Sequence, residues 1–356
     1  MSQQASGQWP SVAVVLVNWN GWRDCIECLD SAFAQDYPGR VHFILVDNDS
    51  ADDSVGHLQT WCDAPQFDAS WRAFDGVMHQ TADPSRLGSQ PIAMRLLDGP
   101  APVADLGADG SMLTVVRSGG NLGFAGGNNV GLSVASACGF DFYWLLNTDT
   151  VVDRHALRHL VARAQQSDSV GMVGSTLRYY YNPGLVQAMG GGRLHLRNML
   201  VTLMGADEVI GKVPVDPCAV ESESDYVMGA SMLVTSRFVR DIGPMQDDYF
   251  LYYEELDWAM RAKGRFELAY APQSHVFHKV GGSSSQVVSE FAMNLMYRNK
   301  ITFVSRFLPE YLPRTVWFLF VEMLRHVYRR RWMPAKLIAR TLLDVRSLAK
   351  RGRLNA

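Results

Sequence analysis

The sequence has few cysteines, no secretory start and no long apolar run. Its five cysteines among 356 residues are odd in number and too sparse for a disulfide framework, which indicates a reducing compartment. The first ten residues have neither a basic start nor an apolar stretch, so we expect no secretory signal. No stretch approaches the roughly 20 consecutive apolar residues of a membrane-spanning helix. We therefore expect neither a disulfide-stabilised secreted domain nor an integral membrane protein.

Acidic residues are scarce in the C-terminal end only. Residues 306–356 contain 12 Lys or Arg against 3 Asp or Glu, whereas the preceding 305 residues contain 21 against 33. The net charge of −3 hides this asymmetry. We expect any anionic surface to meet the C-terminal end, and we disfavour nucleic-acid binding because the rest of the chain is acidic. The hydrophobic fraction of 47% and the charged fraction of 19% are those of a globular protein with a sizeable core.

Cys25 and Cys28 form a C-x-x-C pair, but no second cysteine pair accompanies it. A redox or zinc site needs such company. The surrounding sequence DCIECLDSAF has the apolar spacing of a helix, which favours a core helix over Trp22–Phe33.

The apolar periodicity predicts an α/β fold with a mostly parallel central sheet. Buried strands are predicted at 11–17 and 41–46 with a helix between them, which is the pattern of a parallel crossover. The remaining predicted strands are 112–116, 143–146, 170–175 and 226–235, and the remaining predicted helices are 55–61, 130–137, 154–165 and 250–263.

Two segments have weaker patterns. Residues 62–112 predict an irregular insertion, which is longer than most connections within a domain. Residues 178–218 predict a loop-rich region. Neither segment indicates a role by itself.

Polar side chains follow the first two predicted strands where each strand ends. These residues are Asn18, Asn20, Asp47 and Asn48. Because ligands of open α/β sheets bind beyond the carboxyl ends of the strands, these residues are candidates for ligand contacts.

Asn147-Thr148-Asp149-Thr150 follows the apolar strand YWLL and is the strongest local motif. An amide oxygen on Asn147 and a carboxylate on Asp149 can hold a hard divalent cation and leave positions open for phosphate oxygens. The alternative is an ordinary turn in which Asp149 or Thr150 caps the next helix.

The segment RSGGNLGFAGGNNVG does not fit the G-x-G-x-x-G template and follows the third predicted strand, so we reject a nicotinamide-binding site. Gly123, Gly126 and Gly127 would allow close backbone approach to a ligand, with Asn128 and Asn129 near the helix start. A well-made turn is the alternative.

Glu254, Glu255 and Asp257 lie close together among aromatic residues in FLYYEELDWAMR. Acids in the first turn of a helix are stabilised by the helix dipole, which is one interpretation. Desolvation beside aromatic rings also raises a carboxylate pKa and suits a general base, which is the other.

Downstream, SHVFHKVGGSSS contains His278 and MYRNK contains Arg298. A lone histidine is usually structural, so His278 becomes a candidate only in the company of the other motifs. Arginine is well matched to a diphosphate.

Taken in order, VNWNG, VDNDS, NLGFAGGNN, LLNTDT, YYEELDW and HKVGGSS resemble family 2 glycosyltransferases with the GT-A fold, most closely a bacterial rhamnosyltransferase-like group. The resemblance covers about residues 11–307, interrupted by 62–112. It implies a catalytic GT-A domain at 11–305. From the residues themselves we expect a basic, helical C-terminal region at 306–356.

The resemblance also implies site residues and a cofactor. Asn147, Asp149 and His278 would bind Mg²⁺ or Mn²⁺, with Asn147 in place of the first Asp of the D-x-D element. Asp47 would contact the nucleotide base. The further residues expected to line the nucleotide-sugar site are Asn18, Asn20, Asn48, Asn121, Gly123, Gly126, Gly127, Asn128, Thr148 and Arg298.

The same resemblance implies an inverting transfer in which a carboxylate deprotonates the acceptor hydroxyl. Glu255 matches the base position, although glutamate replaces the commoner aspartate. The extra methylene displaces the carboxylate, so Glu254 and Asp257 stay open as alternatives.

A nucleotide-sugar donor and a glycan or lipid-linked acceptor in cell-surface polysaccharide synthesis are the implied partners. dTDP-L-rhamnose is favoured by the group resemblance, and a UDP- or GDP-sugar is the alternative. A catalytically silent scaffold that binds nucleotide sugars is a further alternative. A nucleotidyltransferase is disfavoured because no basic glycine-rich start follows the first strand.

The C-terminal helices predict one of two arrangements. Leu337, Ile338, Leu342, Val345 and Leu348 form an apolar face beside basic residues, within a segment (312–351) that could lie on an anionic membrane surface. The alternative is packing of the same face on the catalytic domain. We favour the membrane and expect a cytoplasmic protein, peripheral on the inner face of the cell membrane.

Overall fold

A computed structural model describes residues 9–64, 72–74, 77–79, 91–100, 106–107, 109–212, 216–279 and 289–354. The helices are α1 (Trp22–Phe33), α2 (Ser54–Asp63), α3 (Gly123–Ala137), α4 (Ala156–Ala164), α5 (Pro217–Glu223), α6 (Ser236–Ile242), α7 (Glu254–Ala262), α8 (Glu290–Phe307), α9 (Leu312–Tyr328), α10 (Trp332–Leu343) and α11 (Val345–Leu354). The strands are β1 (Val12–Asn18), β2 (Val41–Asp47), β3 (Arg72–Phe74), β4 (Val77–His79), β5 (Met94–Asp98), β6 (Leu113–Arg117), β7 (Phe142–Leu146), β8 (Thr150–Val152), β9 (Val170–Tyr179), β10 (Asn182–Met189), β11 (Gly191–His195), β12 (Leu200–Leu203), β13 (Tyr226–Val227), β14 (Ser231–Thr235) and β15 (Glu267–His278).

One large sheet runs in the order β5-β6-β2-β1-β7-β14-β9-β15-β8, and β10 pairs with β9. The strands from β5 to β7 in this order are all parallel, and antiparallel pairs begin at β14. This large, mainly parallel sheet with helices on both faces confirms the expected mixed α/β fold of the GT-A class.

The core explains why β1 reads as a continuous apolar run. Val12, Val14 and Leu16 pack on one face of the sheet with α1, α2 and α4, while Ala13 and Val15 pack on the other face with α3, α6 and α7. Because both faces are covered, the strand has no polar alternation.

The cysteine pair occupies this core. Cys25 and Cys28 are free thiols with no exposed surface, on the buried side of α1. The expected core helix is therefore confirmed.

Two predicted segments are wrong in part. Residues 178–218 are not loop-rich, because β10, β11 and β12 lie there. These strands are short or irregular in register, so their sequence does not show the alternation of apolar and polar residues that indicates a strand. Within the 62–112 insertion, β5 extends the parallel sheet beside β6, although its side chains are half exposed and give no apolar run. The rest of that insertion lies largely outside the described residues.

Two helix starts also differ from the prediction. α3 begins at Gly123, seven residues before the predicted start, because its glycines allow the helix to lie close to β1: a Cβ on Gly127 would be 2.6 Å from Val17 Cγ1. α7 begins at Glu254, since Phe250, Tyr252 and Tyr253 have left-handed backbone conformations that end any helix.

The C-terminal helices form a bundle with α8, which continues across the boundary predicted at 305/306. Ile301 of α8 packs with Leu319, Ile338 and Leu348 of the three later helices. The apolar face of 337–348, which we expected on a membrane, is therefore buried inside the protein, and that expectation is wrong for this face. Among the described residues, no helix combines the length and apolar character needed to cross a bilayer.

Candidate active site

The carboxyl ends of β1 and β2 meet in register and bring the first polar group together. Asn18 pairs with Asp47 across the two strands, and the Asn48 amide donates to the Asn18 carbonyl at 2.8 Å. All three side chains are buried. Asn18 Oδ1 and Asp47 Oδ1 nevertheless lack any hydrogen-bond partner among the described residues. Buried acceptors of this kind are costly unless a ligand or water donates to them, so they mark a binding position.

Asn48 and Asn121 hold the loop before α3 against this edge. Asn48 Nδ2 donates to Asn121 Oδ1 at 3.1 Å and to the Gly123 carbonyl at 3.2 Å, while the Leu122 amide donates to Asn48 Oδ1 at 3.0 Å. These bonds engage the Asn48 side chain fully. Asn48 and Asn121, which we expected to line the nucleotide-sugar site, therefore hold this loop in place.

Asn20 links two loops at the same edge of the sheet. It adopts a left-handed conformation, and its Oδ1 accepts from the Ala51 amide at 2.7 Å. Ser50 Oγ accepts from the Asn20 amide at 3.0 Å and from Asn18 Nδ2 at 3.1 Å. Asn20 thus ties the loop after β1 to the loop after β2.

The glycines of α3 serve packing. A Cβ on Gly123 would lie 2.2 Å from the Phe250 carbonyl oxygen, and one on Gly126 would lie 2.7 Å from Leu122 Cβ. Gly123 also has a φ of +71°, which favours glycine. Asn128 Nδ2 donates back to the Phe124 carbonyl at 2.9 Å within the helix. The structure therefore uses Gly123, Gly126, Gly127 and Asn128 for close contacts within the protein.

The predicted metal residues come from two strands that pair with each other. His278 ends β15 and lies opposite Thr150 of β8, which places its Nε2 3.2 Å from Asp149 Oδ1. Thr148 Oγ1 donates to the Val17 carbonyl at 3.4 Å and links this turn to β1. Asn147 and Asp149 flank Thr148 in that turn.

Gln187 determines how His278 can act. Its Oε1 lies 2.9 Å from His278 Nδ1, and because an amide oxygen only accepts, Nδ1 carries a proton in this arrangement. The Nε2 lone pair then faces a carboxylate oxygen, and the two acceptors repel unless a proton or a cation lies between them. When a proton lies there, His278 is a cation that donates to Asp149. Burial raises the pKa of Asp149, but the hydrogen bond and charge of this cation outweigh burial and hold that pKa below its usual value.

The chemistry of this donor set fits the expected cation. Asp149 and the neighbouring amide of Asn147 offer oxygen ligands, and His278 offers an imidazole nitrogen. Mn²⁺ accepts both kinds of ligand, whereas Mg²⁺ prefers the oxygens. Among the described residues no group of three or more His, Cys, Asp or Glu could hold a metal ion.

The three acids of α7 have different surroundings. Asp257 is fully buried, accepts from Arg261 Nε at 2.9 Å and from Tyr249 Oη at 3.0 Å, and forms an ion pair with Arg306. Both of its oxygens are engaged, which gives Asp257 a structural position and makes it a poor proton acceptor.

Glu254 and Glu255 have raised pKa values. Burial is the main cause for both, and the charge of Glu255 adds to the shift at Glu254. Glu254 Oε2 is buried without a partner among the described residues. Glu255 lines an open cavity and receives a hydrogen bond from the Gly229 amide, which partly offsets its shift.

A short segment joins the carboxylate to the metal turn. A Cβ on Gly229 would lie 2.5 Å from Glu255 Oε1, so the carboxylate rests directly on this glycine. The next residue, Ala230, accepts from the Asn147 amide at 3.1 Å. Glu255 and the Asn147–Asp149 turn thus contact two consecutive residues of the chain.

Arg298 does not reach this site. Its guanidinium forms an ion pair with Asp344 at 2.9 Å, on the bundle side of α8, and it is not among the residues that line the cavity. The expected contact with phosphate or acceptor is therefore not supported. Its neighbour Asn299, which was not predicted from the sequence, donates to the carbonyls of Tyr249, Leu251 and Tyr252 at 2.9, 2.9 and 3.0 Å.

Asn299 and Gln187 were missed for different reasons. Asn299 lies within MYRNK, where the adjacent arginine drew the prediction because charge is the more visible signal. Gln187 lies on β10, in a segment predicted as loop, so nothing indicated that its side chain is buried beside His278.

The chain matches a known protein family over most of its length. Residues 102–328 match the profile of the family described as Glycosyltransferase like family 2. The low-salt glycan biosynthesis hexosyltransferase Agl10 of Haloferax volcanii is 25% identical over 188 residues, which cover 52% of this chain and 58% of that protein. The chain therefore spans little more than half the length of this relative.

Solved structures are similar at lower identity. A mannosyltransferase from Pyrobaculum calidifontis, in complex with GDP-Man and Mn²⁺, has 13% identity and a TM-score of 0.49, with 98% of this chain and 88% of that chain covered. The S. aureus TarS 1–349 structure with UDP-GlcNAc has 13% identity and a TM-score of 0.47, with 96% and 89% covered. Because both scores lie below 0.5, the fold assignment rests on the sheet and on the family match.

Proposed function

Because the chain belongs to the glycosyltransferase-like family 2, we propose that it moves a sugar from a nucleotide-sugar donor to a hydroxyl of a glycan or lipid-linked acceptor. The observation that carries this proposal is the Gly229–Ala230 segment. It contacts both the candidate base Glu255, through Gly229, and the Asn147–Asp149 turn, through Ala230, so the two groups lie near each other. A single displacement needs a base and a diphosphate site close to the same sugar.

In the proposed reaction the acceptor oxygen attacks the anomeric carbon as the bond from that carbon to the diphosphate breaks. The acceptor proton goes to Glu255, and the bonding electron pair leaves with the nucleoside diphosphate, which inverts the anomeric centre. The raised pKa of Glu255 suits this step, because a more basic carboxylate takes a proton more readily. No covalent enzyme intermediate is required.

Asp149 and His278, with Asn147 beside them, would hold Mg²⁺ or Mn²⁺. When bound, the cation would neutralise charge on the departing diphosphate. Gln187 orients the His278 ring, and the strand pairing of β15 with β8 fixes its distance from Asp149.

Asp47 and Asn18 would contact the nucleotide. Their partnerless oxygens suit an N–H donor of a base, as the N3–H of thymine or uracil supplies. dTDP-L-rhamnose is the proposed donor on the group resemblance of the sequence motifs alone, and a UDP- or GDP-sugar is the alternative.

We place the protein in the cytoplasm, peripheral on the inner face of the cell membrane. Support comes from α9, where Trp317, Phe320, Leu324, Val327 and Tyr328 lie exposed on one side of the helix. Arg325 and the arginine run 329–331 lie nearby and are largely exposed. Exposed aromatic and basic residues together suit an anionic lipid surface.

The test is calorimetric titration of dTDP, UDP and GDP into the purified protein, with and without Mn²⁺ or Mg²⁺. We expect metal-dependent binding that Asp149→Ala weakens at least tenfold. Asp168→Ala, which removes an exposed carboxylate, is the matched control and should bind like the original protein.

The result also separates the alternatives. Binding of dTDP in preference to UDP and GDP supports the proposed donor, whereas preference for UDP or GDP replaces it within the same enzyme class. Absence of metal-dependent nucleotide binding would contradict the proposed function.

A further inference from the structure

A large cavity of about 600 Å³ opens beside Glu255, between the β11–β12 hairpin and the helices α8 and α9. Four methionines, Met199, Met228, Met293 and Met296, contribute to its lining. We call it the acceptor chamber, because it contains the carboxylate proposed to activate the acceptor. Its volume is within the range of about 300–1,000 Å³ typical of ligand sites.

The lining of the chamber suits hydrocarbon better than sugar. Methionine and leucine side chains offer almost no hydrogen bonds to hydroxyl groups, whereas a saccharide needs many. Methionine is flexible and polarisable, so it adapts to chains of varied conformation. Most of the lining surface is apolar, although four tyrosines and the charged or titratable residues Glu255, Lys300, Glu322, His326 and Arg331 also contribute. Glu322 already accepts from Tyr297 Oη at 3.2 Å and lies 3.7 Å from His326 Nε2.

The mouth of the chamber is also apolar. Leu200, Val201 and Met296 line the chamber and are still 49%, 38% and 42% exposed. Apolar side chains left exposed together around an opening mark a surface that a partner covers. Arg331 lies at the same opening and is exposed, which suits a partner with an anionic head group or an anionic lipid environment.

The hairpin that supplies part of this lining is held in a strained form. Met199 has a φ of +52° and is buried, and its amide donates to the His195 carbonyl at 2.8 Å. A left-handed conformation at a non-glycine residue persists only where its surroundings impose it, and such residues cluster at binding sites.

We propose that the acceptor chamber holds the hydrocarbon part of an amphiphilic acceptor, so that the enzyme glycosylates a lipid-linked hydroxyl and not a free sugar. This inference rests on the proposed function, since Glu255 identifies the chamber as the acceptor side. It narrows the acceptor to a molecule with a polar hydroxyl-bearing head and an apolar chain.

The test compares decyl β-D-glucopyranoside with methyl β-D-glucopyranoside. Both are titrated into the full chain at concentrations below the critical micelle concentration of the decyl compound. Each buried methylene strengthens binding about fourfold. Even partial burial of nine additional methylenes should therefore strengthen binding at least about 30-fold.

Two substitutions localise the effect. Met296→Glu places a charge at the chamber mouth and should weaken decyl glucoside binding about tenfold or more. Met112→Glu is the matched control, because Met112 is 43% exposed and lies outside the chamber, so its variant should bind unchanged. Leu200→Glu, against Leu96→Glu at 40% exposure, repeats the comparison if Met296→Glu unfolds.

Three outcomes overturn the inference: equal binding of the two glucosides, equal effects of the Met296 and Met112 variants, or no saturable binding. If nucleotide binding is nonetheless metal-dependent, the proposed function stands and only the acceptor class is lost. If the chain length matters but no nucleotide binds, the proposed function fails and the chamber is no longer an acceptor site.

Discussion

At the scale of single residues, Glu255 is expected to control the pH dependence of transfer. The base must be deprotonated, and burial raises its pKa, so activity should fall as the pH drops through a value above the ordinary glutamate pKa. Glu255→Gln should lower kcat about 10²–10⁴-fold and leave nucleotide binding unchanged.

The control for this prediction is Glu267→Gln, which changes an exposed glutamate at the start of β15 and should keep full activity. Retention of activity by Glu255→Gln, with loss in Glu254→Gln, would move the base to the neighbouring residue.

Glu254 carries a different expectation, which concerns stability. Burial and the charge of Glu255 raise its folded-state pKa, so the folded protein favours the protonated form. The preference of the folded state for protonated Glu254 contributes to the free energy of unfolding below the unfolded-state pKa. This contribution is lost as the pH rises through the raised folded-state pKa. Glu254→Gln, which stays neutral, should therefore raise Tm more at pH 8 than at pH 5.

Thermal melts of the Glu254→Gln and Glu267→Gln variants at both pH values check this. A Tm gain that is equal at pH 5 and pH 8 would show that ionisation of Glu254 does not oppose folding.

At the scale of elements, α3 lies against β1 through its glycines. Alanine normally favours a helix over glycine by about 1 kcal/mol. Gly127→Ala should instead lower the free energy of unfolding by about 1–3 kcal/mol, because its Cβ would lie 2.6 Å from Val17 Cγ1.

Urea unfolding measures this change, with Gly120→Ala as control. A Cβ on Gly120 would meet no described atom within 4 Å, and the residue has no left-handed backbone, so its substitution should be close to neutral. A neutral Gly127→Ala would mean that α3 can move away from the sheet without cost.

The elements also show what sequence could predict. α1 matches its predicted bounds, and β1 and β2 lie within a residue of theirs, because burial on both faces leaves a plain apolar run. β5, β10 and β12 escaped prediction because each is half exposed or irregular, and their place in a sheet comes from partners distant in sequence. Asn18 and Asp47 were predictable because each follows one of these plain apolar runs at the carboxyl end of a strand.

For the candidate site, sequence identified the residue types but not their partners. Asp149 and His278 are 129 residues apart in the chain, and only the pairing of β15 with β8 brings them together. Asp257 and Glu255 look equivalent in the sequence, but Asp257 forms an ion pair with Arg306 whereas Glu255 lines the cavity.

At the scale of the whole molecule, the exposed strip of α9 should bind anionic membranes. Trp317→Glu should reduce co-sedimentation with vesicles of phosphatidylglycerol and phosphatidylcholine by at least threefold, and salt should weaken binding because arginines contribute. Tyr181→Glu is the matched control, since Tyr181 is 62% exposed and Trp317 is 61% exposed.

Equal sedimentation of the two variants, or none by the original protein, would contradict this surface contact. Vesicles of phosphatidylcholine alone should bind more weakly than the mixed vesicles. The readout does not depend on knowing the donor sugar.

The C-terminal helices reach further into the molecule than their position in the chain indicates. Arg351 of α11 donates to Asp248, in the turn before the left-handed residues that lead into α7. Asn299 of α8 donates to the Tyr249 carbonyl of the same turn. The last helix, α11, therefore helps to hold the loop that leads into α7 and positions Glu255. Removing α11 would loosen the loop that positions the proposed base, although no residue of α11 lines the acceptor chamber.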